Sequence, residues 1–360
     1  MSAALETVPT AADPSVSVRQ ATAADAARWD AFVLSSDEAT FFHRFGWGGV
    51  IERTYGHKPR FLIAEADGEV VGVAPLVHVK TMLFGSALIA TAFTVGGGLA
   101  AASQPARAAL AIEAAKLGDS LGVDYVELRS ETASLPEWKT KEGVYAVFRG
   151  PIPENEDENL KLVPRKKRAD VRKGIKAAGE GAIIAEANAS VSTVYHLYAE
   201  SVRNLGTPVF PEKLLHEIAA AFSDDVEFSV VSKEGQPLAG LVTFFHRETA
   251  LPYYGGALPA ARAAHAYDYL YWSLMRRASA RGATEFDFGR SKIGTGAYDY
   301  KKFWGFEATP LQYQYHLVKA DAVPDVNPNN PKYAVFVSAW KKLPTAVSTR
   351  LGPFLARQLA

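Results

Sequence analysis

The chain repeats a pattern. FLIAEADGEVVGVAPLVHVK (Phe61–Lys80) and FSVVSKEGQPLAGLVTFFHR (Phe228–Arg247) each read as strand, Asp-Gly or Glu-Gly turn, strand, the signature of a tight hairpin. VGGGLAA at Val95 is echoed by YYGGALPA at Tyr253. Helical patterns follow, over Pro105–Ser120 and His265–Ala280, and stop at Gly122 and Gly282. A short strand closes each copy: DYVELRS in the first, EFDFGRS in the second. Two helices precede each hairpin, Ala24–Ser35 with Gly46–Tyr55 and Val191–Leu205 with Pro211–Phe222. A duplication on this scale fixes the organisation before any chemistry is considered.

Each half therefore reads β, two helices, β-β-β, helix, β, then more β. This order resembles the GNAT acyltransferase fold. The expectation is an α/β (α+β) chain of two GNAT-like halves in tandem, over 16–153 and 181–320. A leader at 1–15, a basic linker helix at 154–180 and a C-terminal loop with helices at 321–360 complete it. A length of 360 residues suits two such domains. From Thr81 to Ala106 no residue is charged, long enough for a membrane span. Gly96-Gly97-Gly98, Gln104, Pro105 and the β-rich SALIATAFTV favour two buried strands and a turn instead. The N-terminus lacks a basic start and an apolar core, so it reads as a disordered leader.

Acidic and basic residues balance at 39 each, which weighs against a duplex-DNA binder. The absence of cysteine excludes disulfide scaffolds, thiolate metal sites and cysteine nucleophiles, and suits a reduced cytoplasm. Charge is concentrated in one place. Seven bases, Arg165, Lys166, Lys167, Arg168, Arg172, Lys173 and Lys176, fall within twelve residues. Arg165, Arg168 and Arg172 share a helix face. That face is either a phosphate grip for a nucleotide-linked or RNA-linked substrate or a solvated surface. The tail YAVFVSAWKKLPTAVSTRLGPFLARQLA gives two short amphipathic helices broken at Pro344 and Gly352-Pro353. They cap the second half or dock on a membrane surface; the cap is the simpler reading.

Acyl transfer to an amine needs a stabilised oxyanion and a proton for the leaving group. In a GNAT fold the fourth and fifth strands splay and expose backbone N–H groups. Here the fourth strand of the second half is ALPYYGGAL, where Gly255-Gly256 permit a bulge and close ligand approach. The Gly-rich pyrophosphate turn of acetyl-CoA enzymes is replaced by LPAARAAHAYDY, with Arg262 and His265 but no glycine. The fifth strand leads into EFDFGRSKIGTGAYDYKKFWGF. Asp287 is a candidate general base or a brace for the loop. Arg290, Ser291 and Lys292 lie at the strand's C-terminal end, where ligands bind in α/β sheets. Tyr298 and Tyr300 are candidate acids. Lys301 and Lys302, set among Tyr298, Tyr300, Phe303, Trp304 and Phe306, suit charge neutralisation from a half-buried position.

These stretches resemble the FemABX family, tandem-GNAT enzymes that transfer amino acids from aminoacyl-tRNA onto peptidoglycan precursors. YKKFWG matches the family's Phe/Lys-x-x-Phe/Trp-Gly ending, with Lys301 as the lysine and Trp304-Gly305 as the close. RADVRKGIKAAG matches its basic helix, with Arg168, Arg172 and Lys173 in the basic positions. TFFHRFGW is similar to the family's Phe-x-x-x-x-x-Trp opening and ends on Trp47, with His43 and Arg44 where Gln-Ser is common. The likeness spans Val16–Val318. FFHRFGWGGVIERTYGHKPRFLIAEADGEVVGVAPLVHVKTMLFG and the W-x-x-LP…LGP tail are similar to the branch found beside exosortase and exopolysaccharide loci. The helical arm that FemA and FemB insert in the second half is missing.

The resemblance implies an N-acyltransferase acting on an amine of a cell-envelope or exopolysaccharide precursor, nucleotide-linked or lipid-linked. The donor is an acyl-CoA, an acyl carrier or an aminoacyl-tRNA; no metal or DNA is called for. Lys301 stabilises charge, Tyr300 or Tyr298 supplies the proton, and Arg168, Arg172 and Lys173 hold phosphate. Arg290, Ser291, Lys302, Trp304, Tyr254 and Trp47 complete the substrate-binding set. ETASLPEWKTKEG stands where the first half would need a counterpart of Tyr298–Gly305, so chemistry is expected in the second half. The rival readings are a tRNA-dependent peptidoglycan-type ligase and a non-catalytic GNAT pair that binds a polysaccharide or nucleotide.

Overall fold

The computed structural model describes residues 15–82, 84–131, 134–324 and 334–358. The expected leader, Ser15 apart, and residues 325–333 of the expected loop lie outside them. The described residues form two compact units, which do not divide at one point along the chain.

The first unit holds the described residues up to Glu52, His57–Lys141 and Gln312–Val323. Its elements begin with β1 (Ser17–Gln20), α1 (Ala26–Ser35), α2 (Gly46–Tyr55, which ends in the second unit), β2 (Lys58–Pro59) and β3 (Leu62–Ala66). They continue with β4 (Glu69–Ala74), β5 (Leu76–Lys80), β6 (Ser86–Ala90), β7 (Ala100–Ala101), α3 (Gln104–Leu121), β8 (Tyr125–Ser130) and β9 (Lys139–Lys141). Asp67 and Gly68 both take positive φ, 51° and 82°, the type I′ turn that the Asp-Gly pair predicts. The stretch without charge becomes β6, a series of turns and β7; no described helix is long and apolar enough to cross a membrane. α3 ends as expected at Gly122, left-handed at φ 59°, and packs on a core of Leu62, Leu76, Leu88, Leu110, Val126 and Leu128.

The second unit holds Arg53–Gly56, Glu142–Leu311 and the described residues from Pro324 on. It opens with β10 (Tyr145–Pro151), α4 (Glu156–Leu162), α5 (Arg165–Gly179), β11 (Ile184–Glu186), α6 (Val191–Leu205) and α7 (Glu212–Ala221). Then come β12 (Val226–Lys233), β13 (Gln236–His246), β14 (Thr249–Ala257), α8 (Ala260–Ala263), α9 (Ala266–Ala280), β15 (Glu285–Lys292), α10 (Gly296–Phe303) and β16 (Glu307–Pro310). Glu234 and Gly235 repeat the I′ turn of the first copy, at φ 51° and 76°. The sheet order is β11-β12-β13-β14-β15-β10-β16. α9 buries Leu270, Leu274 and Met275 in a core with Leu241, Phe245 and Phe286.

Strand membership departs from chain order. β10, expected to close the first half, lies between β15 and β16 in the second unit's sheet. A last strand, β17 (Gln312–Leu317), expected in the second half, pairs with β8 and β9 in the first. Strands that follow one another in sequence are neighbours in most connections, but a β pattern records burial, not partner.

The tail forms α11 (Ala334–Lys341) and α12 (Thr345–Ala356). The chain breaks at Pro344 as expected, but α12 runs through Gly352-Pro353. The opposed carbonyl, four residues before Pro353, belongs to Thr349, one turn into a short helix, and Gly352 lets the helix approach Val209: a Cβ there would lie 2.6 Å from that residue's carbonyl oxygen.

Candidate active site

The second unit's sheet is open at its centre. β14 and β15 pair in parallel only at Thr249 with Glu285 and Ala250 with Phe286, although β14 continues to Ala257 and β15 to Lys292. β15 meanwhile stays paired with β10 along its length. The two parallel strands therefore part and leave a notch. A β-bulge sharpens the parting. Thr243 pairs with Pro252 and Val242 with Tyr254, so Tyr253 is the inserted residue, next to a proline that has no N–H to give. The bulge was expected at Gly255-Gly256. Those glycines instead admit close neighbours. A Cβ on Gly256 would lie 2.5 Å from the Leu197 carbonyl and the Tyr198 Cα on α6, and one on Gly255 would lie 2.7 Å from the Tyr267 hydroxyl.

The aromatic run after β15 folds into α10, capped by Thr295, whose hydroxyl accepts from the Tyr298 N–H at 3.4 Å. Adjacent helical residues point about 100° apart, and the lysine pair divides accordingly. The Lys301 ammonium donates to the Gly289 carbonyl at 3.0 Å and the Arg290 carbonyl at 2.9 Å, and lies 5.8 Å from the Phe148 ring centre. Burial lowers its pKa to about 8, Asp287 opposing and Arg290 assisting. Lys302 is exposed and lies 5.8 Å from the Tyr298 ring centre.

Asp287 is a brace. Its Oδ1 accepts from the Gly289 N–H at 2.6 Å and its Oδ2 from Arg149 Nε at 2.8 Å. Both oxygens are thus engaged in holding a second bulge, opposite Val147–Arg149, where Gly289 takes φ 67°. A carboxylate so fastened is poorly placed to collect a proton from substrate.

Tyr300 shares none of Lys301's partners and enters a cluster that sequence reading did not find. Its hydroxyl donates to Asp268 Oδ1 at 3.1 Å, and the Lys167 ammonium donates to the same oxygen. That ammonium lies 4.3 Å from the Tyr300 ring centre and 5.2 Å from that of Trp304. Beside them the hydroxyls of Tyr267 and Tyr271 meet at 3.1 Å. Burial first, and then the Asp268 charge, hold the Tyr300 pKa well above its ordinary value. Tyr267 and Tyr271, i and i+4 on α9, were a readable signal in AYDYLYW. Lys167 was lost among seven similar bases. Tyr298 packs edge-on against Phe148 at 5.1 Å, apart from this cluster.

The remaining candidates divide into core and surface. Trp304 is 2% exposed and packs on Tyr271 and Phe288. Tyr254 sits among Phe210, Tyr198 and Tyr253. Trp47, in the first unit, is fully buried against Phe42 and donates its indole N–H to the Ala92 carbonyl. All three were expected to bind substrate; each is large and apolar enough to be drawn into the core instead. Arg290 lies over the Tyr145 ring at 4.1 Å, and the buried Ser291 hydroxyl finds no hydrogen-bond partner among the described residues. Arg168 donates to the Val163 and Lys161 carbonyls at the end of α4, which fixes the α4–α5 corner. Arg172 is exposed, as is Lys173, whose ammonium is 3.4 Å from Asp170.

The start of α9, where acetyl-CoA enzymes cradle a pyrophosphate, is closed by α5. A Cβ on Gly174 would lie 2.9 Å from Tyr269 Cβ and 3.1 Å from the His265 carbonyl. The Lys167–Asp268 ion pair and a 3.8 Å approach of His265 Nδ1 to Asp170 cross the same seam. The first turn of α9 already holds an anion of its own in Asp268.

Residues 165–302 match the family model described as Acetyltransferase (GNAT) domain. FemX superposes on 89% of this chain and 100% of its own, at a TM-score of 0.69 and 17% identity. The chain has the tandem GNAT fold of FemX. L-PGS from Bacillus licheniformis shares it at a TM-score of 0.52 and 13% identity, over 91% of this chain and 96% of that one. So does the C-terminal domain of a putative lysylphosphatidylglycerol synthetase from Agrobacterium fabrum, at 0.52 and 11%, over 81% and 91%. Among curated proteins there is no match. The FemX-like architecture agrees with what the sequence motifs implied, and the GNAT match falls on the half expected to carry the chemistry.

Proposed function

We propose that this protein is an N-acyltransferase that passes an acyl or aminoacyl group to an amine of a cell-envelope or exopolysaccharide precursor. One observation carries the reading: β14 and β15 separate after a single pair of rungs, and a half-buried ammonium, Lys301, is fastened to the carbonyls of β15, the strand that borders the opening on one side. A carbonyl in the notch meets backbone N–H groups of β14 beyond the bulge. The acceptor amine attacks the carbonyl carbon, and negative charge gathers on its oxygen, which those N–H groups and Lys301 stabilise. The bond from carbon to the donor's oxygen or sulfur then breaks. Tyr300, kept protonated by its surroundings, gives its proton to that leaving atom and recovers one from the newly formed ammonium. Exposed Arg172 and Lys173 on α5 attract the phosphates of a nucleotide-linked or lipid-linked acceptor.

The closed start of α9 favours a donor other than acyl-CoA, because no free helix end is left there for a pyrophosphate. An aminoacyl-tRNA or an acyl carrier fits that restriction, and the fold shared with FemX supports the aminoacyl reading. The test is a purified-protein assay with acetyl-CoA, an acyl carrier and aminoacyl-tRNA as donors, and amino sugars and nucleotide sugars as acceptors. Lys301→Ala is expected to lower kcat about 10²–10³-fold and leave acceptor Kd within about twofold. Loss of acceptor binding in that variant would make Lys301 a binding residue. Wild-type binding without turnover from any donor would favour the non-catalytic pair.

A further inference from the structure

α12 is built inside out for a helix that only caps a domain. The residues it buries, Ser348, Gly352 and Ala356, are small. Three of its large apolar side chains point the other way, Leu355 being half-buried: Val347 is 38% exposed, Leu351 50% and Phe354 62%. Positions 347, 351 and 354 stand at i, i+4 and i+7, one narrow stripe on a 3.6-residue helix. α12 docks on α6 and meets Val209 at Gly352, on its small-residue face. Exposed Arg350 and Arg357 are seven residues apart on one flank of the stripe, and exposed Lys341 and Lys342 precede the helix. From 334 to 358 the chain has these four bases and no acid. In a protein whose charges balance at 39 and 39 over the whole chain, an apolar stripe edged by cations alone is a local departure.

We infer that α12 is a docking surface for an anionic lipid bilayer. The stripe enters the boundary between headgroups and acyl chains, and Lys341, Lys342 and Arg350 remain at the level of lipid phosphates. A second copy of the chain is the less suitable occupant, since matching faces would oppose like charges. The inference is independent of the proposed reaction and leaves α12's inner face where it is.

The test is co-sedimentation of the full chain with vesicles, either pure phosphatidylcholine or with about a third phosphatidylglycerol. Wild type is expected to bind the anionic vesicles, more than tenfold weaker to the neutral ones, with binding falling as salt rises. Leu351→Glu/Phe354→Glu removes binding while the melting temperature stays within about 2 °C, since both positions are exposed. Lys341→Gln/Lys342→Gln/Arg350→Gln weakens binding about a hundredfold, at about fivefold per charge. Equal binding of wild type to both vesicle types, or none to either, overturns the inference. So does a wild-type dimer in light scattering that Leu351→Glu/Phe354→Glu converts to monomer.

Discussion

Lys301 is a cation held where cations are costly. Its two carbonyl partners and the Phe148 ring keep it in place, and burial brings its pKa down to about 8 from 10.5. In the proposed reaction the ammonium is the working form, so kcat falls as pH rises through about 8. Arginine at 301 stays charged through that range; Lys301→Arg should keep some activity and lose this alkaline limb. An unchanged limb in the variant would assign it to another group. Stability moves the opposite way. Between about 8 and 10.5 the unfolded chain binds the proton that folded Lys301 has released, so unfolding free energy rises with pH there. Lys301→Met should flatten that rise in denaturant titrations. The sequence marked this lysine by its aromatic surroundings. It did not separate Lys301 from Lys302, because the separation comes from the helical turn of α10. Asp287 was legible as a buried carboxylate, but its choice between base and brace depended on Arg149, 138 residues away in the chain.

At the level of elements, the seam between α5 and α9 rests on one carboxylate. Asp268 serves both Lys167 and Tyr300, with side-chain exposures of 16% for Asp268 and 11% for Lys167. Asp268→Asn leaves Lys167 without its counter-charge and is expected to cost about 3 kcal/mol of stability, read as a lower denaturation midpoint at constant slope. Adding Lys167→Met to that variant should restore most of the loss, because the uncompensated charge is gone. Two losses that simply add would mean that the partners are uncoupled. Helix positions in this unit were readable from periodicity and from the glycines that end helices; Val191–Leu205 was placed residue for residue. The bulge was not. Glycine is the usual mark of a strand irregularity, but here both glycines answer to neighbours on α6 and α9, and Pro252-Tyr253 carries the break. Arg168, expected at a phosphate, is used by the α4 carbonyls; capping partners of this kind depend on a corner that periodicity does not describe.

At the scale of the whole molecule, the duplication was legible and the route of the chain was not. Both hairpins and both long helices appear where the repeat put them, but β17 belongs to the first unit. Its side chains show how firmly. Gln314, 1% exposed, accepts from the Ser134 and Leu135 N–H groups and donates to the Leu135 carbonyl. Tyr313 and Tyr315 pair in register with Arg129 and Glu127, a buried ion pair at 2.6 Å. Without Gln312–Leu317, β8 becomes an open edge and two paired charges lose the tyrosines that flank them. A fragment ending at Lys141 should therefore fail to unfold cooperatively and should aggregate. The same fragment joined by a flexible linker to residues 312–323 should recover a sharp thermal transition and slow amide exchange in β8. The consequence reaches folding, since the first unit cannot close its sheet until Gln312–Leu317, which follow every strand of the second unit, have been made. A fragment ending at Lys141 that melts as sharply as the joined one would refute this account, and would mean that β17 decorates a sheet already complete.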